Sequence, residues 1–138
     1  VIEPLRGHEW LYTVLSGDAT ITSLVGSRIY DGISPQGVIF PYIIYSFLGG
    51  ADTRGVGTVR VFNSGLYQVK AVCEGESYAP AAAIADRIDE LIHGNRGSVS
   101  DGSVVDCVRE QPLTLIEQQN GVQYRHVGGL YRIIVQEA

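Results

Sequence analysis

The stretch Leu24-Val25-Gly26-Ser27-Arg28-Ile29-Tyr30-Asp31-Gly32, followed by Ile33-Ser34-Pro35-Gln36-Gly37 and by Phe40-Pro41-Tyr42-Ile43-Ile44-Tyr45, decides the fold class. It reads as a helix end, a short extended piece, two turns and a buried strand. Gly26 stops the helix. Arg28 to Tyr30 is extended, and Asp31-Gly32 and Pro35-Gln36-Gly37 carry turn chemistry. Phe40 precedes a proline and is therefore extended. From Tyr42 to Leu48 nearly every residue is apolar or aromatic, which predicts a strand covered on both faces.

Upstream, Pro4 opens a helix whose inner face carries Trp10, Leu11, Val14 and Leu15, and Gly17 ends it. Asp18 is placed to cap a second, short helix that turns Ile21, Leu24 and Val25 inward. Downstream, Gly49 to Gly57 is the least patterned stretch: four of its nine residues are glycine, and its charges are Asp52 and Arg54. Thr58 to Phe62 regains strand character, Asn63-Ser64-Gly65 reads as a turn or kink, and Leu66 to Glu74 as a strand with Tyr67, Val69, Ala71 and Cys73 on one side. A third helix follows. Ser77 can cap it, Pro80 fits its first turn, and Ala81, Ile84, Ala85, Ile88, Leu91 and Ile92 form its apolar stripe. Asp86, Arg87, Asp89 and Glu90 take its solvent side, and Gly94 stops it.

Asn95 to Gly102 reads as a loop and Val104 to Arg109 as a strand ended by Pro112. Leu113 to Gln119 and Val122 to His126 flank Asn120-Gly121, the strongest short hairpin signal. Gly128-Gly129 predicts a bulge in the returning strand, which Leu130 to Gln136 completes. This order predicts an α+β chain: a mostly antiparallel β-sheet with helices packed on one face and one long β-arm or loop, as a single domain over 1–138.

Composition bounds the function classes. A chain of 138 residues buries about two-thirds of its unfolded surface and builds a core without disulfides. Seventeen glycines, against a usual ~7%, indicate many turns and close backbone approaches. The formal charge of −5 argues against general nucleic-acid binding, which needs a basic surface. The cations are nine arginines and one lysine, Lys70. Arginine favours planar, bidentate pairing and is enriched at protein interfaces, although gene composition produces the same bias. The opening Val1-Ile2-Glu3-Pro4 has neither a basic segment nor a long apolar run, so no signal peptide is expected. No stretch approaches ~18 apolar residues, so no membrane partner is expected.

The search for chemistry gives no catalytic group. His8, His93 and His126 are not spaced as metal ligands, and His93 beside Gly94 suits a helix C-terminus. Cys73 and Cys107 fit no zinc or redox spacing, and neither stands where a thiolate is favoured. Gly55-Val56-Gly57 begins like a dinucleotide fingerprint, but Arg60 occupies the third glycine's place and no helix follows. The tyrosines mostly fall in or beside strands, which suits both β-packing and a subunit interface.

The order of these elements resembles the tail-terminator or tail-completion (head–tail joining) proteins of long-tailed, siphovirus-like phages. The carrying residues are Leu15 with Asp18, the Leu24–Tyr30 run, Pro35-Gln36-Gly37 and Phe40–Tyr45. The helix from Tyr78 to Gly94 continues the match, as do Tyr124-Arg125-His126 and Tyr131-Arg132-Ile133-Ile134-Val135. The resemblance implies a tail-terminator-like fold with no catalytic residue, cofactor or metal. It implies a homo-oligomeric ring, usually a hexamer, at the head-proximal end of the tail tube. The expected partners are the tail tube protein and the head completion or connector protein, with DNA passing through the lumen without specific binding. The expected location is the head–tail junction of a virion assembled in the host cytoplasm. Asp52, Thr53, Arg54, Arg60 and Asn120 are the expected inter-subunit or tube contacts. Another neck or tail-tube ring of the same particle is the alternative within this reading. A small cysteine-dependent enzyme and a monomeric ligand-binding module are the competitors outside it.

Overall fold

The computed structural model describes residues 3–57 and 60–137. Three helices, α1 (Glu3–Ser16), α2 (Ala19–Val25) and α3 (Ala79–Ile92), pack on a six-stranded sheet. Its strands are β1 (Ile29–Asp31), β2 (Tyr42–Arg54), β3 (Arg60–Glu74), β4 (Gly97–Val99), β5 (Gly102–Gln119) and β6 (Val122–Glu137), in the spatial order β1-β2-β3-β6-β5-β4. Only the short β1–β2 pairing is parallel. The architecture is thus the expected α+β sheet with helices grouped on one face.

Pleating explains the layering, because alternate residues of a strand face opposite sides. Tyr67, Val69, Ala71 and Cys73 of β3, Ile43 and Tyr45 of β2, and Tyr131, Ile133 and Val135 of β6 all face the helices. They meet Trp10, Leu11 and Leu15 of α1, Ile21 and Val25 of α2, and Ala81, Ile84, Ile88 and Ile92 of α3. Each fully buried aliphatic side chain contributes roughly 1.5–3 kcal/mol by leaving water. Two close approaches lock α1 on this face. Arg6 Nε donates to Asp101 Oδ1 at 3.0 Å, and Gly7 abuts the hydroxyl end of Tyr67, where any Cβ would overlap the phenol.

Polar clamps hold the helices to one another. Asp18 caps α2, accepting from Ile21 N at 3.0 Å. The same carboxylate accepts from Arg87 Nε at 3.1 Å and Nη2 at 2.7 Å. Arg87, which the helical pattern puts on the solvent side of α3, is the tie between α3 and α2. Asp89 likewise accepts from the buried Tyr131 hydroxyl at 2.9 Å. Ser77 Oγ accepts from Ala79 N at 3.1 Å, one residue ahead of the Tyr78 cap position.

Several expectations fail for identifiable reasons. Gly49 to Arg54 is not irregular: it continues β2 and pairs with β3 out to Arg54↔Arg60. Thr58, at the start of the predicted Thr58–Phe62 strand, lies outside the described residues; Arg60 onward is strand. Asn63-Ser64-Gly65 is uninterrupted strand. Gly65 is required because a Cβ would come within 2.9 Å of both the Phe47 and Tyr67 rings. The local irregularity sits on β2 instead, between Phe47 and Gly49. Pro112 does not end a strand, since β5 runs through it to Gln119. There β5 is the outer strand, where a missing N–H breaks no ladder bond. Gly128-Gly129 is not a bulge: both residues keep register with β3 and β5. A Cβ on Gly128 would overlap Val69 O and crowd Lys70 Cα, so close strand approach requires glycine there. The bulges are on β5, between Val104 and Asp106 and between Arg109 and Gln111.

The predicted Asn95–Gly102 loop contains the short strand β4. Leu24 is 37% exposed rather than inward, because in a two-turn helix the Ile21–Val25 line alone faces the core. The double covering of β2 ends early, and Leu48 is 51% exposed.

Candidate functional site

Three features remain once the core is assigned: an arm, two unpaired strand edges and an aromatic pocket.

The arm is the distal half of the β2–β3 hairpin. Beyond the reach of the helices, residues 51–57 are all exposed, and Val56 is 94% exposed. Asn63 Nδ2 donates to Asp52 Oδ1 at 2.9 Å, and Arg60 Nη1 stands 3.9 Å from Asp52 Oδ2. Arg54 pairs with Arg60 across the ladder, and among the described residues its guanidinium has no hydrogen bond or ion pair. The structure therefore gathers Asp52, Thr53, Arg54 and Arg60 on one hairpin. Asn120 is elsewhere. With Gly121 it forms the tight β5–β6 turn, both with positive φ (53° and 79°), as this hairpin type demands. The antiparallel registers put that turn at the opposite end of the sheet from the arm tip, since Glu74 pairs with Tyr124 and Phe62 with Gln136.

The edges lie on opposite sides of the sheet. On one side β1 pairs only with Ile43–Tyr45 of β2, leaving the outer edge of β2 from Ser46 onward without ladder bonds among the described residues. On the other, β4 covers Gly102–Val104, and the end of α3 covers the next turn: Gly94 N donates to Cys107 O at 2.6 Å, and Arg109 N donates to His93 Nδ1 at 3.0 Å. His93 is thus the predicted helix-end residue. From Gln111 to Gln119 the outer side of β5 has no ladder partner among the described residues.

The pocket lies on the sheet face away from the helices, near the β5–β6 turn. Phe40, Tyr42, Val72, Tyr124, Glu117 and Gln119 line about 420 Å³, with the loop through Ser34, Gly37 and Val38 over one side. The residues come from four adjacent strands and the loop before β2, brought together by the curl of the sheet. Phe40 stacks on Tyr124 at 5.1 Å between centroids and leans on Tyr42 at 5.3 Å. Glu117 is 59% exposed and 3.4 Å from His126 Nε2. Burial first, then the nearby Lys70 charge, holds the His126 imidazole below its ordinary range, against the opposing pull of Glu117. Burial likewise lowers Lys70, with Glu117 opposing. His126 is therefore the neutral neighbour of a carboxylate that has no short charged partner among the described residues. Tyr42 and Tyr124 were recognised in the sequence only as strand tyrosines; no local signal joins residues this far apart.

Chemistry of the cysteine-enzyme kind finds no support in this geometry. Burial pushes the Cys107 thiol up to about 12, with Asp106 and Asp89 adding to it, the reverse of thiolate activation. Cys73 is buried, its Sγ 3.4 Å from Ser77 O. Among the described residues no three His, Cys, Asp or Glu side chains are grouped to hold a metal ion. No helix among them is long and apolar enough to cross a membrane.

Comparison with known proteins gives a family and a fold. A search of curated proteins gives no match. Among solved structures, a chain of the virion of a native gene transfer agent particle superposes with a TM-score of 0.68 at 17% identity, covering 91% of each chain; at that identity the likeness is one of fold. The family described as tail completion protein gp17 matches residues 9–136. With nearly the whole chain matched and the α+β fold in agreement, the chain belongs to the tail completion protein gp17 family, structural proteins of the phage tail or neck.

Proposed function

We propose that the chain is a tail terminator: a ring subunit at the head-proximal end of the tail tube that ends tube polymerisation and docks the head connector. The observation that carries this reading is the pair of bare strand edges on opposite sides of one sheet, together with a projecting arm. A closed ring needs a heterologous interface, in which each subunit offers two different surfaces. An edge of β2 and an edge of β5 are two such surfaces, and strand addition is a recurrent way of joining them. Six copies is the number that the family resemblance suggests. The arm residues Asp52, Thr53, Arg54 and Arg60 then contact a neighbour or the tail tube protein, and Asn120 contacts whatever lies at the opposite end. The net charge of −5 suits a lumen that repels phosphate and lets DNA slide.

Mass measurement by light scattering, with electron microscopy of the purified chain, tests the ring. Closed rings or concentration-dependent assembly are expected, and a strict monomer at every concentration refutes it. Deleting Ala51 to Val56 tests the arm: tail joining should fail while the monomer still folds, and normal particle yield from that deletion refutes the assignment.

A further inference from the structure

The aromatic pocket and the arm are chemically complementary. Of the nine arginines, seven have their guanidinium engaged: Arg6 by Asp101, Arg28 by Pro41 O, Arg60 by Asp52, Arg87 by Asp18, Arg109 by Asp89, Arg125 by Gly75 O and Arg132 by Glu110. Arg54 and Arg96 are the two without a partner among the described residues. Arg54 stands at the tip of the arm, opposite a second arginine and without a carboxylate of its own.

The pocket offers what a guanidinium requires. The half-buried rings of Phe40 and Tyr124, backed by the buried Tyr42, supply aromatic surface, and Glu117 supplies a carboxylate whose neighbour His126 is held neutral. Arginine combines stacking on aromatic faces with bidentate pairing to a carboxylate, which lysine does not do as well.

The two features cannot meet within one molecule. The arm tip is at Arg54↔Arg60 and the pocket at Tyr42↔Val72, opposite ends of one hairpin. At a rise of about 3.3 Å per residue they are about 40 Å apart. We infer that the pocket formed by Phe40, Tyr42, Tyr124 and Glu117 receives Arg54 from the arm of a second copy of this chain. The contact is heterologous, joining one end of a subunit to the other end of its neighbour, which is the kind of contact a closed ring requires. It rests on the ring reading and adds the side chains that lock the ring.

Charge exchange tests it. Arg54→Glu and Glu117→Arg alter exposed side chains, and circular dichroism should show both variants folded. Each should lower the association constant, measured by sedimentation velocity, at least about tenfold, the order expected for losing a charge pair and creating a like-charge contact. The double variant should recover to within about threefold of the native chain. Tyr124→Leu, which removes a ring while keeping an apolar side chain, should weaken association by about threefold to tenfold. Arg96→Glu should leave it unchanged. The inference is overturned if either single variant associates as the native chain does, if the double variant is no better than the singles, or if Arg96 rather than Arg54 proves sensitive. In those outcomes the native chain still assembles and the ring reading stands; a native chain that never associates overturns both.

Discussion

The carboxylate of Asp18 does two jobs at once, and two substitutions separate them. It caps α2 through Ile21 N and binds Arg87 through two hydrogen bonds. Its side chain is 14% exposed and that of Arg87 is 31% exposed. Loss of an N-cap costs about 1 kcal/mol. The Arg87 pair, discounted for the water around the guanidinium, contributes about 0.5–1 kcal/mol. Asp18→Ala removes both and should cost about 2 kcal/mol at pH 7. Asn caps helices as well as Asp does, so Asp18→Asn keeps the cap and should cost about 0.5–1 kcal/mol. Acid separates the two terms further. The Arg87 hydrogen bonds first, then the backbone donors, hold the Asp18 carboxyl below its ordinary 3.8 against the opposing effect of burial. A lowered folded-state pKa gives stability that is present above the unfolded value and is lost as pH falls through the folded one. Urea denaturation followed by circular dichroism at pH 7 and near pH 2.5 measures this. The gap between native and Asp18→Asn chains should close in acid, while Asp18→Ala should keep a deficit of about 1 kcal/mol, because a protonated carboxyl still accepts from Ile21 N. Equal stabilities for Asp18→Ala and Asp18→Asn at pH 7, or an Asn deficit that survives acid, would refute this division.

Other outcomes follow from the same packing. Gly128→Ala places a methyl against Val69 O and Lys70 Cα and should destabilise by about 2–3 kcal/mol, read as a lower urea midpoint; an unchanged midpoint would show that β3 and β6 separate freely. Cys107 should resist thiol reagents at pH 8 until the chain unfolds, since burial holds its thiol near 12, and rapid labelling of the folded chain would contradict its placement. His126 is lowered by burial and by Lys70, so its neutral form contributes stability above about pH 6.5 that is lost on acidification. His126→Gln should flatten the fall in melting temperature between pH 7.5 and pH 5.5, and parallel curves for the two chains would exclude this titration.

The helices, the hairpin turn and the helix-facing residues were legible because each is local: the stripe on α3, Asp18 before α2, and Asn120-Gly121 declare themselves within a few residues. What misled were residues whose meaning is set by a distant neighbour. Gly65 and Gly128 carry the chemistry of turns but sit in strands because a ring and a backbone approach them from elsewhere. Pro112 looks like a strand end until β5 is known to be outermost. At the site, the charges in the glycine-rich run pointed to the arm, whereas Asn120 proved to be at the far end. The Asn120-Gly121 turn alone pairs Glu117 with Tyr124; the pocket was illegible because Phe40 and Tyr42 join them only when β5 and β6 curl back toward the loop before β2.

The outer margin of β5 has a consequence for how such a protein survives at high concentration in its free state. A long bare strand is a template for indiscriminate stacking of copies. Here the margin is interrupted by two bulges and by Pro112, so only the short run from Leu113 to Gln119 is uninterrupted. A visiting strand finds one brief window with one favoured phase, and fibril growth, which needs long flat pairing, is starved of template. The same interruptions that deter fibres thus act as an alignment mark, telling a legitimate neighbour where along the margin to begin.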